Sequence, residues 1–323
     1  MKDQCKPAPS SGADWKQHPE RSNLFWLRAM TWISMRLGRG PSRVILYGIA
    51  AYFLAFAPTA RRMSRSYLQR ALKLPSLADV GWKPLFRHFL CFASVIHDRV
   101  YLINDRYELF DIRVHNKDLI DAIVGDGLGV FLIGAHLGSF EVLRAIGRKQ
   151  PGLRIAMAMY EENARKINAA LTAINPKAQQ DIIALGHVDS MIRIHEILDQ
   201  GHVVGMLGDR SLGNDDTHRV SFLGDPAWLP LGPFRLAAVM KRQVLFMTGL
   251  YRGGNRYDIH FETLADFSAV APRGRALAVQ AAMGRYAVLM EQYCYKAPYN
   301  WFNFFDFWQA RAHRPAKPAT EIT

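Results

Sequence analysis

The sequence predicts an α/β protein in which a central mixed sheet is flanked by helices and preceded by an N-terminal segment of apolar and basic helices. From about residue 107, short apolar runs alternate with amphipathic stretches, a pattern typical of a sheet covered by helices. Half of the 323 residues are hydrophobic and 21% are charged, which excludes a disordered chain. The length suits one large or two modest domains with a sizeable core.

The N-terminal segment is strongly basic. Residues 1–73 contain 13 Lys and Arg against three acidic residues, a net charge of +10 out of +13 for the whole chain. The remainder of the chain is therefore nearly neutral. A groove for nucleic acid along the whole protein is not indicated, because such a groove needs basic residues throughout.

Two apolar stretches in the same segment predict helices. Residues 24–37 place large apolar side chains on one helical stripe, and residues 44–57 contain no charge. A bilayer span needs about 20 apolar residues and 44–57 is short for one, so we expect the helices of 21–75 to associate with an anionic membrane, as a monotopic or a single N-terminal anchor. The alternative is a helix buried in a soluble domain.

The remaining elements follow in order along the chain. Two more helices are predicted at 59–74 and 82–103. Seven candidate strands lie at 109–114, 128–134, 153–158, 181–185, 202–207, 243–250 and 256–262. Helices alternate with them near 116–124, 139–149, 162–174, 188–200, 233–241 and 275–296. We therefore expect an α/β domain over 76–308, with flexible ends at 1–20 and 309–323.

The three cysteines, Cys5, Cys91 and Cys294, form no C-x-x-C pair. A disulfide framework and a cysteine-based zinc site are therefore not expected, and a reducing compartment is the natural interpretation. The histidines show neither an H-E-x-x-H motif nor metal-ligand spacing. The sequence thus predicts no metal and no cofactor.

A histidine stands at the carboxyl end of the second predicted strand, where active sites of open α/β sheets lie. His136 follows the apolar run 128–134, and Gly138 and Glu141 come next. Because helical neighbours are three or four residues apart, His136 and Glu141 meet only if His136 lies in the loop before a helix. Glu141 would then accept the Nδ1–H of His136 and leave Nε2 as a general base. A structural histidine is the alternative.

This pattern is the histidine–acid half of a hydrolytic triad without an evident nucleophile. The base would then act on a hydroxyl of the substrate itself. Ser139 is the nearest serine, but it is not in a G-x-S-x-G elbow. Its position favours a helix cap, and an esterase that uses Ser139 stays an alternative.

Asp209 and Arg210 also follow a predicted strand, 202–207. The guanidinium of Arg210 suits a phosphate or a polarised carbonyl. Asp209 would orient either Arg210 or His136. A loop ion pair that contributes little is the alternative.

A third block, 222–234, ends in a proline-rich turn that opens a helix. The free amides of a helix N-terminus favour an anion or a developing oxyanion. Gly232 and Phe234 are therefore candidate substrate contacts, and a rigid connector is the alternative.

Together, the H-x4-E spacing after an apolar strand, Gly208-Asp209-Arg210 and the block 222–234 resemble the lipid A biosynthesis acyltransferase family, part of the lysophospholipid acyltransferase superfamily. The resemblance extends from about residue 25 to 308. It implies a glycerol-phosphate-acyltransferase-like fold. It also implies a His136–Glu141 general-base dyad that needs neither a metal nor an acyl-enzyme.

The resemblance further implies the partners and the place of the reaction. The donor would be an acyl thioester of acyl carrier protein or coenzyme A, and the acceptor a hydroxyl of a lipid or glycolipid. The work would be done at the cytoplasmic face of a bacterial inner membrane, on anionic lipids, with no nucleic-acid partner.

The C-terminal segment leaves the acceptor open. Six of the eight residues in 301–308 are aromatic, and the segment Asn300–Trp308 resembles stand-alone relatives linked to aryl polyene-type and other specialised lipid pathways. The rings would form either a core edge or a wall that faces lipid or an acyl chain. A non-catalytic lipid-binding protein on the same fold is the remaining alternative to an enzyme.

Overall fold

The computed structural model describes residues 20–143, 153–175, 181–211 and 215–308. The predicted flexible ends, apart from residue 20, lie outside the described residues. The helix predicted over 139–149 is described only at 141–143.

A mixed sheet of seven strands forms the centre of the fold, in the order β1-β9-β8-β2-β5-β3-β4. Its strands are β1 (Asp111–His115), β2 (Val130–Gly138), β3 (Ile155–Tyr160), β4 (Ile182–Leu185), β5 (Val203–Leu207), β8 (Gln243–Tyr251) and β9 (Arg256–Asp266). Strand β2 pairs in parallel with both β5 and β8, whereas β9 runs antiparallel to β8. The predicted α/β class with a mixed sheet is confirmed, and each of the seven predicted strands is present.

Helices cover both faces of the sheet. They are α1 (Glu20–Leu37), α2 (Arg39–Phe56), α3 (Pro58–Ala71), α4 (Trp82–Ile103), α5 (Lys117–Gly125), α6 (Glu161–Ile174), α7 (Val188–Asp199), α8 (Gly232–Val239) and α9 (Arg275–Lys296). One buried cluster joins the sheet to α3, α7, α8 and α9, and the other joins it to α4, α5 and α6. The carboxyl ends of β2 and β5 therefore lie on a sheet that is packed on both sides.

A two-stranded hairpin is present that the sequence did not predict. Strand β6 (Thr217–Phe222) pairs antiparallel with β7 (Asp225–Pro230). The two residues between them, Leu223 and Gly224, both have positive φ, 53° and 87°, as tight hairpin turns require. Proline is rare in strands other than those at a sheet edge. The prolines of the block 222–234 therefore indicated a connector rather than a pair of strands.

The predicted N-terminal helices are present as α1, α2 and α3. Within the described part of the chain no single helix is both long and apolar enough to cross a membrane, although α2 and α3 pass that test as a pair bent by 96°. Helix α2 is tied to the body by Arg39, which donates to both carboxylate oxygens of Asp98 in α4, at 2.8 and 2.9 Å. The Tyr257 hydroxyl donates to the same carboxylate.

Candidate active site

The site lies where β2 ends. His136 is still part of this strand, which continues to Gly138, so the prediction that His136 lies in a loop is wrong. The strand turns at Gly138, whose φ is +78° and where an added Cβ would lie 2.1 Å from the carbonyl oxygen of Gly249 in β8. Only glycine satisfies both conditions. The Ser139 amide then donates to the same carbonyl at 2.7 Å.

Asp209 holds the imidazole of His136. The Nδ1 atom lies 2.9 Å from Asp209 Oδ1, and the His136 backbone N–H donates to Oδ2 at 3.0 Å. Asp209 comes just after β5, the neighbour of β2 in the sheet, which explains why both residues reach one edge. The indole Nε1–H of Trp301 also donates to Oδ2, at 3.1 Å. The fully buried carboxylate thus accepts three hydrogen bonds.

The charges at this site fix the tautomer of His136. Burial opposes ionisation of Asp209, but the imidazole, the hydrogen bonds and the Arg210 guanidinium together hold its pKa well below the usual range. An ionised carboxylate only accepts hydrogen bonds, so Nδ1 carries the proton and Nε2 carries the lone pair. Burial, with a smaller effect from Arg210, lowers the pKa of His136 below 6.5. The imidazole is therefore neutral at neutral pH, and its side chain is still 32% exposed.

Glu141 has a different partner from the one predicted. It opens the helical turn 141–143, as expected, but the nearly buried carboxylate accepts from Nε and Nη2 of Arg99 in α4, at 2.9 and 2.7 Å. The prediction that Glu141 accepts the Nδ1–H of His136 is therefore wrong in this structure. The reason is that β2 extends past His136, so its imidazole faces the end of β5 rather than the helix beyond the turn. A catalytic role for Glu141 stays a prediction.

Arg210 lies at the same site. Its Nη2 donates to the Phe302 carbonyl at 2.8 Å, and its guanidinium lies 5.2 Å from the ring centre of Phe305. Its Nε is buried and has no hydrogen-bond partner among the described residues. A buried donor of a cation is costly to leave unpaired.

The other two predicted substrate contacts lie at different depths. Gly232 is exposed at the start of α8, and an added Cβ there would lie 3.4 Å from the hydroxyl of Tyr160, at the end of β3. Phe234 is fully buried and packs edge-on against Tyr286, whose hydroxyl donates to the Gly134 carbonyl of β2. The predicted contact between Phe234 and substrate stays a prediction. Such a contact would require the core to open, because the Phe234 side chain is fully buried.

The segment 300–302 completes the site, although none of its residues was among the predicted catalytic or substrate-binding residues. Phe302 N–H donates to the His136 carbonyl, and Gly138 N–H donates to the Asn300 carbonyl. Trp301 is fully buried beneath Asp209. The density of aromatic residues in 301–308 was the available signal for this segment. Trp301 forms part of the core, as the core-edge interpretation expects, whereas Phe305 is exposed.

A second group of metal-ligand types lies on β1 and β9. Among the described residues, the candidate ligand atoms of His115, Asp258 and His260 lie within 4.8 Å of one another. Arg252 and Arg256 already form ion pairs with Asp258, at 3.3 and 3.2 Å. This excess of positive charge does not suit a divalent cation.

Comparison with known proteins identifies the family. A family model described as bacterial lipid A biosynthesis acyltransferase matches residues 13–310, nearly the whole chain. No curated protein matches the chain.

Proposed function

We propose, from the premise that this chain belongs to the bacterial lipid A biosynthesis acyltransferase family, that it moves a fatty acyl group from an acyl thioester to a hydroxyl of a lipid or glycolipid. That the chain is a lipid acyltransferase follows from the family. The donor and the residues that act are our proposal. The observation that carries it is the imidazole of His136, whose side chain is 32% exposed and whose Nδ1 lies 2.9 Å from Oδ1 of the buried Asp209 carboxylate.

In the proposed reaction, Nε2 of His136 takes the proton of the acceptor hydroxyl as that oxygen attacks the thioester carbon. A tetrahedral oxyanion forms, and we propose that the guanidinium of Arg210, the residue after Asp209 in the chain, stabilises its negative charge. The C–S bond then breaks, and the imidazolium returns its proton to the leaving thiolate. Asp209 stabilises the imidazolium between these two transfers.

The two alternatives fit the site less well. An esterase would need an accessible nucleophile, but Ser139 is only 3% exposed, whereas the His136 side chain is 32% exposed. A non-catalytic lipid-binding protein would not need the three hydrogen bonds that orient Asp209 beneath an exposed base. Transfer to a substrate hydroxyl uses both features.

Direct transfer to lipid is the test of the function. Purified protein in anionic vesicles should release a free thiol from acyl carrier protein or coenzyme A thioesters. In parallel, mass spectrometry of lipid extracts from cells with and without the protein should show one lipid that gains an acyl mass. Thiol release without an acylated lipid would instead support an esterase.

The exposed face of α2 is the part we propose to lie on the membrane, at the cytoplasmic face of a bacterial inner membrane. Large apolar side chains are exposed along it, among them Val44 (71%) and Phe56 (72%). Apolar faces of this size mark contacts with lipid or protein. The net charge of +10 over residues 1–73 favours anionic lipid.

Charged substitutions on this face should weaken vesicle binding. The double variant Val44→Glu, Phe56→Glu removes two large apolar contacts, each contributing roughly 1.5–3 kcal/mol when fully buried. We expect binding to phosphatidylglycerol-containing vesicles, measured by co-sedimentation, to fall at least about tenfold. Val188→Glu is the matched control, since Val188 is 76% exposed on α7, in the α/β domain. Equal losses in both variants would contradict the proposed face.

A further inference from the structure

A cavity of about 600 Å³ lies beside α3, outside the catalytic site. Arg62, Arg65 and Ser66 of α3 line it on one side, together with Leu77 of the short turn that follows and Asp306 of the C-terminal segment. Its volume is in the range of small-molecule sites. Arginine and apolar side chains meet in it, which suits a ligand that is itself part charged and part apolar.

The two arginines of the cavity differ from the other arginines of α3. Arg70 pairs with Asp225 at 2.7 Å, and Arg61 donates to the backbone carbonyl of Leu54. In the described part of the chain, by contrast, no ion pair involves Arg62 or Arg65, and the Nε of Arg65 is buried without a hydrogen-bond partner. A buried donor on a cation is costly to leave unpaired. An anion in the cavity would lie beside this guanidinium and balance its charge.

Residues next to the cavity lining in the chain contact the proposed catalytic site, and α3 directly follows α2. Tyr67 of α3 packs edge-on against Trp301, with ring centres 5.0 Å apart, and Trp301 donates to Asp209. Asp306 directly follows Phe305, the ring that faces Arg210. On the outer side, Leu77 is 50% exposed, and α3 follows α2 through the 96° bend.

We propose that this cavity binds the phosphodiester of a lipid, with the guanidinium groups of Arg62 and Arg65 on the phosphate. Two arginines and one aspartate give the lining a net charge of +1, which matches the single negative charge of a phosphodiester. The planar guanidinium presents paired donors to phosphate oxygens. A lipid is favoured because Met63, Leu77 and Ala78 add an apolar wall to the cavity.

This inference rests on the proposed function, since it adds a lipid subsite to the same reaction. A bound phosphodiester would hold a lipid at the membrane side of Trp301 and Asp209. The acyl donor would approach His136 from elsewhere. Arg62 and Arg65 would thus bind and position lipid without touching the reacting atoms.

The test is a titration of the full-length protein in neutral detergent with dihexanoylphosphatidylglycerol. Dihexanoylglycerol serves as the probe without phosphate, and 4′-phosphopantetheine as the probe of a carrier's arm. We expect the phospholipid to bind at least tenfold more tightly than dihexanoylglycerol. Arg65→Gln and Arg62→Gln should each weaken the phospholipid at least tenfold, because each removes a charge-assisted contact.

Arg113→Gln is the matched control, since it removes the same charge from an exposed pair with Asp111 on β1, and it should bind like the wild type. Arg62 is exposed, so the Arg62→Gln variant should fold normally even if Arg65→Gln does not. Wild-type affinity in Arg62→Gln, equal binding of dihexanoylglycerol, or displacement of the phospholipid by 4′-phosphopantetheine would each overturn the proposal.

The binding readout separates this proposal from the proposed function. His136→Ala should bind dihexanoylphosphatidylglycerol as the wild type does, because the cavity excludes His136. If binding depends on the phosphate but the wild-type protein transfers no acyl group, the proposed function is wrong and the proposed phosphodiester site is kept. If transfer proceeds while Arg62→Gln binds normally, only the cavity proposal fails.

Discussion

Replacing His136 with alanine is expected to lower the rate of acyl transfer by about 10²- to 10⁴-fold, the usual contribution of a general base. No other described group at the site is expected to take over, because Arg210 remains protonated and the Asp209 carboxylate is buried. The measurement is thiol release from the acyl thioester together with the mass of the lipid product. Turnover in the variant at the wild-type rate would end the proposed mechanism.

A loss of activity in His136→Ala is informative only if the protein stays folded and bound to lipid. Asp209 keeps the hydrogen bonds from the residue 136 amide and from Trp301 in this variant, so the thermal unfolding midpoint should fall by only a few degrees. Binding to anionic vesicles should be unchanged. His195→Ala is the matched control, since His195 is an exposed histidine of α7 that pairs with Asp199, and it should keep full activity.

The sheet was predictable from the sequence because its strands are marked by apolar runs. Strand β2, for example, begins with Val130–Ile133, all fully buried, and such runs are typical of parallel strands covered on both faces. The hairpin β6–β7 was not predictable in this way. It contains Pro226 and Pro230, and its turn depends on a leucine with positive φ, which no propensity favours.

The position of His136 at the carboxyl end of β2 could also be predicted, and Asp209 was one of two acidic residues expected to orient it, but the sequence did not decide between Asp209 and Glu141. Sequence spacing favoured Glu141 as the carboxylate partner of His136 because the two residues are close along the chain, whereas Asp209 is 73 residues away. The contact with Asp209 depends on β5 lying next to β2 in the sheet. Local sequence patterns predict strands but not the order in which the strands pair. Trp301 was missed for the same reason, since its hydrogen bond to Asp209 spans 92 residues.

Asp209→Asn is expected to lower transfer by about 10³- to 10⁴-fold with little change in structure, because it reverses the tautomer of His136. Oδ2 accepts from two N–H groups, the His136 backbone and Trp301, so the amide oxygen of asparagine must take that position. The amide NH₂ then faces Nδ1, which has to accept a hydrogen bond and gives its proton to Nε2. A protonated Nε2 cannot act as the base, and the comparable exchange in a serine protease triad costs about 10⁴-fold.

The pH dependence gives this prediction a second readout. Only neutral His136 is active, so wild-type activity should fall with decreasing pH through a pKa that lies below 6.5. The Asp209 carboxylate raises the pKa of His136 against the opposing effects of burial and Arg210. In Asp209→Asn, the acidic limb of the pH–rate profile, where activity falls as His136 is protonated, should therefore lie at still lower pH. The measurement is the initial rate from pH 4.5 to 8.

Glu141→Gln supplies the comparison that decides between the two carboxylates. It weakens the pair with Arg99 but leaves Asp209 on Nδ1, so the acidic limb should stay close to its wild-type position whatever the loss of rate. If Glu141→Gln moved the limb and Asp209→Asn kept wild-type activity, Glu141 would be the carboxylate that orients the base during catalysis. The outcome expected here is the reverse, because three hydrogen bonds hold Asp209 in place before any substrate binds.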